Sequence, residues 1–197
     1  MILGKNEDMA SRHAKCLFPN SHHRRFLMNT KPDAVAKPQP NQKSLMDQAY
    51  SLVFALKETW PAVSDSGDAE TRRMCSAQMR IYGDFAPEQP TFNAEGNAHL
   101  YTALLRAWSV YRTHPAARLL NDGPREKCEK ALFAHAELMS QADYLKLQGE
   151  LESLELANAA GQDTPEGDRW IDRIDALMCE APWTLHPDEG CIPMALA

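Results

Sequence analysis

Long apolar runs are missing from this chain, and its cysteines are few and scattered. No segment approaches the roughly 18 consecutive apolar residues of a membrane-spanning helix, so we expect no membrane span. A secreted disulfide framework has a dense and even set of cysteines, whereas this set is odd and widely spaced: Cys16, Cys75, Cys128, Cys179 and Cys191. We therefore expect a cytoplasmic protein with reduced thiols.

Several catalytic and cofactor motifs are also missing. With only nine glycines, the chain has neither of the glycine-rich loops that bind phosphates, and it has no GxSxG elbow and no CxxC pair. A di-iron carboxylate site needs a glutamate three residues before a histidine. At that spacing Gly96 precedes His99, and Leu132 precedes His135. The sequence thus predicts no catalytic residue set, no cofactor and no metal site.

Charge is divided unequally along the chain, and the change falls near Ser44. Residues 1–43 contain eight Lys and Arg against three acids, a net charge of +5. The whole chain carries −6, so residues 44–197 carry −11. Phosphate contacts need clustered Lys and Arg, so nucleic-acid binding is expected, if anywhere, from the basic segment.

The basic segment, residues 1–43, is predicted to be a disordered leader. Pro32, Pro38 and Pro40 are mixed there with Asn, Gln and Lys, a composition that cannot bury enough apolar surface to offset the entropy of ordering. Met28 opens a polar stretch of its own. One expectation is therefore that the protein starts there and that residues 1–27 lie upstream of the true start.

Helical periodicity then begins and continues through most of the chain. Ser44 with Asp47 predicts the cap of a first helix, which Pro61 is expected to end. A second helix is expected over residues 68–82. Asn93 is the predicted cap of a third helix, which carries the strongest apolar stripe: Tyr101, Leu104, Leu105, Trp108 and Tyr111.

The C-terminal half predicts three more helices. Pro124 suits the first turn of the fourth. The apolar stripe of the fourth helix is out of phase with the apolar stripe that follows it, and Ser140 resembles the cap of a new helix. We therefore expect a break near Ser140. The alternative is one long helix over residues 124–160. Thr164 and Pro165 predict the start of a last helix. The expected fold is an all-α, irregular bundle of about six helices over residues 44–182, with an irregular tail over residues 183–197.

The absence of a catalytic set favours a protein-interaction module that acts as an adaptor, regulator or accessory subunit, with another protein or a second copy of the chain as partner. Around the fifth helix the leucines cover more than one narrow face, which is typical of a docking or dimer seam. The predicted partner-binding residues are Leu147, Leu151, Leu154 and Leu156.

Two other classes remain open. In the first, the leader contacts nucleic acid through Arg24 and Arg25, and a weaker basic patch lies on the second helix at Arg72, Arg73 and Arg80. In the second, the chain is an enzyme with an unfamiliar helical site around one of three histidines: His99, His114 and His135.

Overall fold

The computed structural model of the protein describes residues 42–83, 92–114, 122–162 and 164–196, all within one compact unit, Pro40–Ala197. Arg24 and Arg25, with almost all of the predicted leader, lie outside these residues. The fold is all-α, as predicted. In the described ranges it has six helices: α1 (Gln42–Ser66), α2 (Ala69–Tyr82), α3 (Ala94–Thr113), α4 (Asp122–Ala134), α5 (Gln141–Ala159) and α6 (Pro165–Glu180). None of these helices is long and apolar enough to cross a membrane.

Helix α3 is the centre of the bundle and packs against α1, α2 and α4. A helix that is apolar around most of its circumference must be covered on several sides. Tyr101 and Leu104 are accordingly fully enclosed. The indole of Trp108 meets the indole of Trp170 on α6 edge to face, with ring centroids 5.2 Å apart. This contact brings α6 onto the same core.

The predicted limits of α1 were wrong at both ends. The helix begins at Gln42, so Ser44 lies inside it, and it continues through Pro61 to Ser66. Pro61 is exposed, while Ala62 and Val63 extend the buried face beyond it. Burial of a valine is worth about 1.5–3 kcal/mol, comparable with the cost of about 3 kcal/mol for a proline inside a helix.

The predicted break between the fourth and fifth helices is confirmed. Helix α4 ends at Ala134, and a short 3-10 turn, Ala136–Leu138, separates it from α5. Ser140 caps α5, because its hydroxyl accepts a hydrogen bond from the backbone N–H of Asp143 at 3.1 Å. The alternative of one long helix is therefore excluded.

The tail contains a small hairpin that the sequence analysis did not predict. Strand β1 (Trp183–His186) pairs antiparallel with β2 (Gly190–Pro193), and Gly190 supplies the positive φ of 72° at the turn. The indole N–H of Trp183 donates to the carbonyl oxygen of Met139 at 2.7 Å. This hydrogen bond joins the hairpin to the segment between α4 and α5.

Candidate protein interface

The predicted leucine face of α5 is divided between the core and the surface. Leu147 and Leu151 are only 3% and 4% exposed, and Leu154 is partly buried against the core. Leu156 is 71% exposed. In this fold Leu147 and Leu151 contact the protein's own interior, so Leu156 is the member of the predicted set that a partner can reach most readily.

A second exposed leucine, Leu145, lies on the same side of α5 as Leu156. The spacing of eleven residues is three helical turns, about 16 Å. Gly149 lies between them, and a Cβ added there would meet nothing within 4 Å. We call Leu145 and Leu156 the leucine pair. It offers two apolar contacts, with Gly149 and the exposed acid Glu152 between them.

Helix α1 carries a more compact apolar surface, which sequence analysis missed. Tyr50 and Phe54 lie one turn apart and are 58% and 55% exposed. The Tyr50 ring tilts against the Phe92 ring at a centroid distance of 5.5 Å. The ammonium of Lys127 lies 5.2 Å from the centroid of the Phe54 ring, and the same group pairs with Glu58 at 3.0 Å. We call Tyr50 and Phe54 the aromatic ridge.

An open groove runs between α1 and α2. Its volume is about 460 Å³, within the range of small-ligand pockets. Helix α1 contributes Lys57 and Trp60, and α2 contributes Ser76, Met79 and Arg80. Lys57 follows Phe54 by three residues and Tyr50 by seven, so helical geometry places it on the same face as the aromatic ridge. Neither Tyr50 nor Phe54 is among the residues that line the groove, so the ridge and the groove are separate features of α1.

A buried acid joins three helices in the interior. Glu129 on α4 is 7% exposed, and the indole N–H of Trp108 donates to its carboxylate at 3.4 Å. Arg125 on α4 and Arg173 on α6 each approach that carboxylate to 3.9 Å. The two guanidinium groups compensate the negative charge of the buried Glu129 carboxylate. The arrangement is suited to holding α6 in place.

Two cysteine thiols, those of Cys75 and Cys128, are enclosed in the core. Desolvation raises the pKa of Cys75 to about 12, and it raises the pKa of the completely buried Cys128 still further. The Cys75 thiol donates to the carbonyl oxygen of Ala103 at 3.3 Å, and the Cys128 thiol contacts that of Leu104 at 3.8 Å. Both thiols therefore stay protonated at neutral pH and act as small core residues.

The histidines considered for catalysis do not form one site. His99 is exposed and lies 3.8 Å from Glu95, one turn earlier on α3. His114 follows the last residue of α3, so it lies about 22 Å farther along the helix axis. His135 is partly buried, and burial lowers its pKa despite Glu137 at 3.9 Å. No group of three metal-binding side chains forms within the described ranges.

Sequence reasoning found one member of the groove and missed its setting. Arg80 was recognised as part of a basic patch, but the sequence did not place it beside Trp60, which is partly exposed and lines the same groove. The signal for the aromatic ridge was present, because Tyr50 and Phe54 fall outside the apolar stripe of α1 and share one face.

Comparisons with protein-family models, curated proteins and solved structures found no match to this chain.

Proposed function

We propose that this protein is a helical interaction module that binds another protein, as an adaptor, regulator or accessory subunit. The observation that supports the proposal is the aromatic ridge, in which Tyr50 and Phe54 expose more than half of their surface on the outside of α1. Adjacent exposed aromatic side chains are favoured anchors in protein interfaces. A cytoplasmic location belongs to the same proposal and rests on the odd, widely spaced cysteines of the sequence, although Cys179 is disulfide-bonded, contrary to the expectation of reduced thiols.

The ridge has the physical features of an interface hot spot. Each ring is held by a neighbour, Tyr50 by Phe92 and Phe54 by Lys127, so little side-chain freedom is lost when a partner binds. Burial of the rings removes apolar surface from water, worth about 1.5–3 kcal/mol for a fully buried phenylalanine. The nucleic-acid alternative rests on Arg24 and Arg25, outside the described residues, and remains a sequence-based hypothesis.

The test is recovery of the tagged protein from its own cells near physiological salt, followed by mass spectrometry of whatever is retained. The double variant Tyr50→Ser with Phe54→Ser removes the ridge. A matched double variant, Leu145→Ser with Leu156→Ser, removes two exposed apolar side chains from α5. We expect a stoichiometric protein partner that is lost with the ridge and kept when only the leucine pair is changed.

Other outcomes assign the surface or reject the proposal. Loss of the partner only with the leucine variant would transfer the interface to α5. Light scattering on the purified protein tests self-association, which the ridge variant should abolish if the partner is a second copy. A monomer that retains no protein, while melting normally, would contradict the interaction function.

A further inference from the structure

The groove between α1 and α2 combines an apolar floor with a cationic edge. Trp60 and Met79 provide the apolar surface, and Met79 is itself 6% exposed, so its side chain is already fixed within the fold. Arg80 is exposed and forms no ion pair within the described residues. The groove volume of about 460 Å³ accommodates a large side chain and its flanking backbone.

The charge of this surface is opposite to that of its surroundings. Residues 44–197 carry −11, yet the three cations of α2, Arg72, Arg73 and Arg80, outnumber Glu70 and the acidic cap residue Asp68. Glu70 is in turn paired with Arg106 of α3 at 3.2 Å. The outer side of α2 is therefore a local positive region on an acidic body, and it favours a negatively charged occupant.

We infer that the groove binds an acidic linear segment of a partner protein, with a bulky apolar side chain seated against Trp60 and Met79 and a neighbouring carboxylate paired with Arg80. This inference rests on the proposed interaction function and names its partner chemistry. An Arg guanidinium binds a carboxylate through two parallel hydrogen bonds, which gives both strength and orientation.

Two other occupants fit this surface less well. The chain's own residues 1–43 contain eight Lys and Arg against three acids, so their composition does not match the acidic occupant that Arg80 and Lys57 favour. Nucleic acid needs several clustered cations along a groove, whereas the described groove offers two cations separated by apolar side chains. An acidic peptide satisfies both the charge and the apolar floor.

The test is selection from a displayed library of random peptides against the full-length protein, followed by affinity measurements on the selected peptides. Three variants keep the fold and change one feature each. Arg80→Glu reverses the charge at the groove, and Ser76→Trp fills the groove without changing charge. Arg169→Gln, on an exposed part of α6, is the control for loss of a surface cation.

We expect the selected peptides to combine Asp or Glu with a large apolar residue. Their affinity should fall about tenfold or more with Arg80→Glu and with Ser76→Trp, stay unchanged with Arg169→Gln, and weaken as salt is added. Selection of basic or uncharged peptides, equal binding to Arg80→Glu, or tighter binding of a single-stranded oligonucleotide would overturn the inference. If the native partner is lost with the ridge variant but kept by both groove variants, the interaction function stands and the groove assignment fails.

Discussion

Replacement of Asp143 by alanine tests how α5 is attached to the centre of the bundle. Asp143 is 8% exposed. One of its carboxylate oxygens accepts hydrogen bonds from the hydroxyls of Thr102, on α3, and Ser140, at the start of α5, both at 2.8 Å. The same carboxylate therefore completes the cap of α5 and links that helix to α3.

The expected loss of stability depends on which hydrogen bonds the Thr102 and Ser140 hydroxyls keep after Asp143 is replaced. A hydrogen bond to a charged group is worth about 1.5–3 kcal/mol. The Thr102 hydroxyl has one proton and a second acceptor, the carbonyl oxygen of Ala98, at 3.1 Å. The Ser140 hydroxyl still accepts from the backbone N–H of residue 143 at 3.1 Å. Since the Thr102 proton has a second acceptor and the half-buried Ser140 hydroxyl keeps the bond that it accepts, we expect Asp143→Ala to lower the free energy of unfolding by about 2–3 kcal/mol.

The assay is urea unfolding followed by far-UV circular dichroism, with thermal melting as a second measurement. A chain of this size should melt about 4–12 °C lower. Thr102→Val should cost about 1 kcal/mol, and the double variant should cost less than the sum, because the two side chains share one hydrogen bond. Asp172→Ala, at an exposed position on α6, is the control. A loss below about 0.5 kcal/mol for Asp143→Ala, the range of ordinary surface changes, would refute the reasoning.

Two further results are expected. Alkylation at pH 8 should leave Cys75 and Cys128 unmodified in the native protein and should label both in urea. The reason is that burial raises the pKa of both thiols and keeps them protonated. Labelling of either cysteine in the native protein would contradict its enclosed position. Pro61→Ala should raise the free energy of unfolding by about 2 kcal/mol. It removes the cost of about 3 kcal/mol for a proline inside a helix, but about 1 kcal/mol is lost because alanine gives the unfolded chain more conformational entropy. A less stable variant would show that the proline suits this helix.

Local signals in the sequence predicted the helices well because they depend on residues close together. Ser140 and Asp143 are three residues apart, so the start of α5 could be inferred from them alone. The link from Asp143 to Thr102 could not be inferred, because the residues lie 41 positions apart. Periodicity indicates which face of a helix is apolar, but it does not indicate which other helix will cover that face.

The errors have the same origin. Pro61 was expected to end α1 because its local cost is certain, whereas the compensating burial of Ala62 and Val63 depends on helices distant in sequence. The hairpin was missed because each strand has only four residues, too few to give a clear alternating pattern. The open groove was missed for a related reason, since it exists only where α1 and α2 pack together.

The two exposed apolar surfaces differ in how well they could hold a partner. Leu145 and Leu156 are three turns apart with a glycine between them, so a partner must cover a gap to reach both. Tyr50 and Phe54 are one turn apart, and each ring is already in contact with a neighbouring side chain. Because α1 packs on α2, α3 and α4, whereas the main neighbour of α5 is α6, the two surfaces belong to different parts of the bundle. Substitutions on them should therefore affect partner binding independently, and the ridge should carry the larger share.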